Sequence, residues 1–129
     1  MIYDYRGEME QDIREAIENY EDWKGERITE HFEDETDAVN ELYDILWIDD
    51  SVTGNGSGSY TFSTYDAEQN VLHNFDLLDQ ACEEFGTNIG DIYTSGGPEA
   101  WDVTIRCYLL GEVLHKVVYE LFDTQQENE

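Results

Sequence analysis

PEAWDVTIRCYLLGEVLHKVVYELF (98–122) is the stretch whose reading decides the fold. Val103, Cys107, Leu110, Leu114, Val117 and Leu121 recur at three- and four-residue intervals, which is the stripe of an amphipathic helix. Gly97-Pro98 suits its start, because Pro in the first turn lacks only an N–H that a helix leaves unpaired anyway. Asp102 with Arg106, and Glu112 with Lys116, stand at i,i+4, where opposite charges support a helix. Against this, Val103-Thr104-Ile105 is a β-branched run of the kind strands favour. A helix here makes the chain mainly α, whereas a strand over 102–109 makes it α+β. The stripe outlasts the β-branched run, so the reading is helix.

Working outward, the next segment back is a helix from Thr64 or Asp66 to Phe85, with Val71, Leu72, Phe75, Leu78, Cys82 and Phe85 inward. Gly86 sits where a helix-ending glycine belongs. Residues 86–97 read as a loop. Before these, DDSVTGNGSGSYTF (49–62) holds three glycines between β-favouring flanks and predicts a β-hairpin or extended segment over about 51–63. Residues 36–47 form a helix capped by Asp34 or Thr36, with Val39, Leu42, Ile45 and Leu46 inward. Ile28 and Phe32 mark a short helical turn. The first helix covers 7–21, through Met9, Ile13, Ala16, Ile17 and Tyr20. The expected architecture is one compact helical domain over 1–123, with a polar tail at 124–129 that frays.

The charge is the strongest compositional signal. Against 32 acids stand 6 Lys or Arg, for a net charge of −26, while a 40% hydrophobic fraction is enough for a packed core. Self-repulsion of that size opposes compaction. It excludes phosphate backbones and anionic membrane surfaces as generic partners. No basic and apolar leader opens the chain and no apolar run approaches the ~20 residues of a membrane span, so a cytoplasmic setting is expected. Cys82 and Cys107 fall on apolar helix faces and read as reduced core residues. Trp23, Trp47 and Trp101 read as core or core-edge residues, with room for one at a binding face.

Asp49 to Phe62, DVTIRCYLLG (102–111) and the opening MIYDYR together resemble small acidic proteins carried by phages and conjugative elements of gut Firmicutes. The resemblance implies a mobile-element setting. It carries no functional residue onto this chain.

Two rows of acids stand out. Glu33, Asp37, Glu41 and Asp44 are spaced four, four and three, and share one face if their helix begins early. Asp76, Asp79 and Glu83 repeat the pattern on the next long helix. Neighbours at such spacing lie about 5–6 Å apart, and like charges held there cost a few tenths of a kcal/mol per pair. Duplex DNA carries one charge per ~1.7 Å of axis, so such rows imitate a phosphate backbone to a DNA-binding groove. The expected function is a non-enzymatic acidic decoy, a DNA mimic of anti-restriction or anti-CRISPR type. Its partner is a basic nucleic-acid-binding protein, a host defence nuclease. Neither direct nucleic-acid binding nor a cofactor is expected. The alternative is a protein-interaction module that binds through an apolar or aromatic patch, its charge serving solubility. A third reading places a small ligand or metal at Gly54–Gly58, with Asp49, Asp50 and Asn55 as calcium ligands. The spacing does not match an EF-hand, no Lys follows as in a P-loop, and the two Asp would repel an anion. His73, Cys82, Cys107 and His115 lack the paired spacing of a zinc site. Arg106, amid apolar residues, reads as a buried partner for Asp102 or for Asp49 and Asp50.

Overall fold

The computed structural model describes residues 3–55 and 63–127, and they form one compact helical domain. Six helices follow one another: α1 (Tyr5–Lys24), α2 (Ile28–His31), α3 (Glu35–Trp47), α4 (Thr64–His73), α5 (Phe75–Phe85) and α6 (Ile89–Glu127). No strand occurs among the described residues, and 102–109 lies inside α6, so the fold is mainly α rather than α+β.

Helix α6 is the hub. Each of α1, α3, α4 and α5 packs chiefly on it. Its burial goes beyond a single stripe: Ile105, Leu109, Val113, Val118 and Phe122 are buried along with Cys107, Leu110, Leu114 and Val117. A helix apolar on most of its circumference is one surrounded by others. That demand for packing on every side overrides the β-branched run at 103–105. At Gly97 (φ 70°, ψ −157°) α6 breaks into a short arm, 89–96, and the long arm that Pro98 begins. The loop expected over 86–97 is therefore helical from Ile89. Trp101 Nε1 donates to the Ile89 carbonyl at 2.9 Å and fastens the two arms together. At its other end α6 continues to Glu127, into the segment expected to fray.

Local chemistry sets the remaining boundaries. Asp4 caps α1 by accepting from the Gly7 N–H, and a Cβ on residue 7 would lie 2.4 Å from that carboxylate. Asp34 caps α3 through the Asp37 N–H at 2.9 Å. Ser63, rather than Thr64 or Asp66, caps α4. The single helix expected from 64 to 85 is two. Asn74 (φ −134°, ψ 37°) interrupts it and donates through Nδ2 to the carbonyls of Asn70 and Tyr3. Past that break the inward stripe is Leu77, Leu78, Ala81 and Cys82, leaving Leu72, Phe75 and Phe85 exposed. In α3, similarly, Ala38 is buried and Ile45 exposed.

The expected hairpin is corrected on its first side. Ser51 and Val52 are in a turn, not a strand. The Asp49 carbonyl accepts from the N–H groups of Val52, Thr53 and Gly54, and the Thr53 hydroxyl donates to the Trp47 carbonyl at 2.7 Å. Val52 and Thr53 are fully buried, so this turn is part of the core. The rest of the proposed hairpin, 56–62, lies outside the described residues. No described helix is long and apolar enough to cross a membrane.

Candidate partner-binding face

The residues of the first acidic row come together. Asp34 is the cap of α3, so Glu33 stands just outside the helix while Asp37, Glu41 and Asp44 follow along it. All four are exposed, and with Asn40, His31 and Phe32 they line one open depression of about 490 Å³. The second row is on a different helix: Asp76, Asp79 and Glu83 are exposed along α5.

An acidic row attracts a partner only where the chain's own cations do not neutralise it. Between Ile28 and Ile105 there is no Lys or Arg. Three of the six cations are spent in the seam between α1 and α6. Arg6 pairs with Glu112 at 3.3 Å, Lys116 with Glu10 at 2.6 Å, and Arg14 with Glu120 at 2.6 Å. Each pair spans 106 residues, so α1 runs parallel to the end of α6 and is laced to it one turn at a time. Glu112 and Lys116 thus pair across helices, rather than with each other as their spacing predicts. The hydrogen bond from Lys116 holds the Glu10 carboxyl below its ordinary range and raises the Lys116 ammonium in return.

One side of the depression is aromatic. Tyr20 on α1 stacks on Phe32 with centroids 6.0 Å apart, and the edges of His31 and Trp23 meet Tyr20 at 5.9 and 6.1 Å. Burial, then the charges of Glu41 and Glu26, push the Tyr20 hydroxyl above its ordinary pKa. Of the three Trp side chains, Trp47 and Trp101 are half-buried at the core edge, while Trp23 is 75% exposed. The alternation of Tyr20, Trp23 and Phe32 with acids was the available signal for this wall. The chain turn at Gly25 and Arg27 hid it from any periodicity.

Arg106 is a structural strut. It donates to Asp12 Oδ2 at 3.2 Å and to the Val52 carbonyl at 2.5 Å, fastening α1, α6 and the Asp49–Gly54 turn together. Its charge also acts on Asp102, one turn earlier. Its ion-pair partner on α1 is Asp12, whose own pKa is raised by burial and pulled back by Arg106. Asp102 is fully buried and accepts from the Tyr5 hydroxyl. Burial raises its carboxyl to about 6, against the opposing pull of Tyr5 and Arg106.

Of the glycine-rich segment, the structure describes the turn up to Asn55. Asp49 spends Oδ1 on the Ser51 N–H and hydroxyl, at 2.8 and 2.6 Å. Among the described residues no three His, Cys, Asp or Glu side chains gather in a way that could hold a metal ion. A shallow hollow of about 450 Å³ beside Gly54 and Asn55 is lined by Ser95, Glu99 and Thr104 among others. Its one carboxylate, Glu99, accepts from Thr64. Cys82 and Cys107 are free, buried thiols. Neither protein-family models, curated proteins nor solved structures provide a match to this chain.

Proposed function

We propose that this protein is a non-enzymatic acidic decoy, a DNA mimic that occupies the basic nucleic-acid groove of a host defence nuclease. It would act in the mobile-element setting that the sequence resemblance implies. One observation carries the reading. Glu33, Asp37, Glu41 and Asp44 share an open face within a stretch that has no cation, while Arg6, Arg14 and Lys116 are drawn into the α1–α6 seam. Drawing these three cations into the seam leaves the row predominantly negative, and such a face raises association rates with a complementary groove. Asp76, Asp79 and Glu83 on α5 form a second negative strip for the same partner.

The test is competition. A basic nuclease's DNA binding is titrated with the protein, and binding should weaken steeply with salt because both surfaces are screened beyond a Debye length of ~8–10 Å. Reversing Glu33, Asp37 and Glu41 to Lys should abolish inhibition while thermal stability holds or rises. A folded triple variant that inhibits like the parent would overturn the reading. The alternative, an interaction module, draws support from Leu72 and Phe75, exposed on either side of the α4–α5 break. It predicts binding that survives salt and is lost on polar replacement of those two residues.

A further inference from the structure

The aromatic side of the depression already holds a cation. Lys24 Nζ lies 4.3 Å from the centroid of the Trp23 ring and 5.7 Å from that of Tyr20. In a chain of 32 acids this ammonium rests on rings. A cation over an indole face is attracted by the ring quadrupole, most strongly for Trp. Trp23 keeps 75% of its surface exposed, and exposed Trp beside charge is the residue type that anchors interfaces. Tyr20 joins Trp23 to Phe32, and Phe32 is itself a wall of the acidic depression. Phe32 lines that depression together with Asp37 and Glu41. Ring faces and carboxylates therefore adjoin along one continuous surface.

We propose that this surface is an arginine seat. An arginine side chain of the partner displaces Lys24, lays its guanidinium on Trp23 and Tyr20, and turns its N–H fork toward Glu41 and Asp37. Arginine is favoured over lysine there, because its planar guanidinium can stack and pair bidentately at once and is more weakly hydrated, whereas an ammonium such as that of Lys24 only rests on the ring. The inference rests on the decoy reading for the location of the face, but adds what charge alone does not supply. A pure phosphate imitation treats arginine and lysine alike, whereas this seat discriminates between them. Its occupant is an arginine-rich segment of the partner, such as the lining of a phosphate-gripping channel.

The test uses octa-arginine and octalysine, equal in charge, titrated calorimetrically into the full chain at low salt. The parent should prefer octa-arginine by about tenfold. Trp23→Ala, at an exposed position, should reduce that preference to about twofold, weakening octa-arginine binding more than octalysine binding. Trp23→Tyr, which keeps a ring face, should restore most of it. Lys24→Gln should strengthen octa-arginine binding severalfold, because the competing ammonium is gone. Equal binding of the two peptides by the parent, or a preference that survives Trp23→Ala, would overturn the arginine seat while leaving the decoy reading intact. Failure of both peptides to bind, or binding indifferent to Lys at Glu33, Asp37 and Glu41, would overturn the two together.

Discussion

Replacing Asp102 by Asn should make the protein's stability less dependent on pH, by an amount the structure defines. The Asp102 carboxyl has no exposure, and its pKa in the fold is about 6 against an ordinary 3.8. Between those two values the folded carboxyl keeps its proton while the unfolded one has lost it. Stability is therefore taken away as pH rises through that window, and the full cost is present above it. A difference of about two units corresponds to about 3 kcal/mol. Roughly half of this, ~1.4 kcal/mol, falls between about pH 5 and pH 7.5, away from the isoelectric region near 4.1 where solubility is poorest. Asn keeps the shape and still accepts from Tyr5, but does not titrate. Its amide nitrogen, facing the position where Oδ2 has no hydrogen-bond partner, adds a cost that is the same at every pH. The informative quantity is therefore the gap between variant and parent as a function of pH, in which every other carboxylate cancels. Urea melts of both proteins at the two pH values should show Asp102→Asn gaining ~1.4 kcal/mol relative to the parent at the higher pH. A gap constant to within ~0.3 kcal/mol would mean that the buried carboxylate is not penalised, and the reasoning would be wrong.

Three further outcomes follow from the same framework. Arg106→Ala leaves Asp102, Asp12 and the Val52 carbonyl without their shared cation, and should cost about 3–5 kcal/mol, more at pH 7.5 than at pH 5; a loss under ~1 kcal/mol would deny the strut. Gly97→Ala should cost about 2–3 kcal/mol and Gly86→Ala about 1, because nothing crowds a Cβ at either site but only Gly86 (φ 66°, ψ 36°) lies in the left-handed well that Ala can enter; equal losses in chemical denaturation would contradict this. Raising NaCl from about 0.1 to about 1 M shortens the Debye length from ~10 to ~3 Å and should raise Tm through screened repulsion, whereas a fall would show that the exposed α1–α6 pairs outweigh it.

The helical stripe on α6 was legible because period and start signal agreed across more than twenty residues. Its depth of burial was not read, although the apolar residues Ile105, Leu109, Val113 and Val118 fill the other faces. A one-sided stripe was assumed for what is a surrounded helix. The break at Asn74 had no local signal, since Leu72 and Phe75 continue the helical spacing and the Asn74 side chain answers to Tyr3, 71 residues away. Ion pairs were misread for the same reason: i,i+4 spacing offered Glu112 to Lys116, but rigid neighbouring helices offered Arg6 and Glu10 in better positions. The acidic row was legible because four carboxylates at helical spacing converge wherever a helix forms. Its aromatic wall depends on how α1 meets the segment before α3, a tertiary fact.

The hub helix is also made after every helix that packs on it: α1 to α5 are synthesised before any residue of the long arm exists, at roughly 5–20 residues per second. Until then they have no surface to pack on, and their carboxylates push one another apart. The lacing of Arg6, Glu10 and Arg14 to residues 106 positions later is a loop closure that only a chain made as far as Glu120 can complete. Folding is therefore a single late event rather than a progressive one. A nascent chain stopped before Gly97 is a run of acidic segments without the helix they pack on, and should be open to proteases.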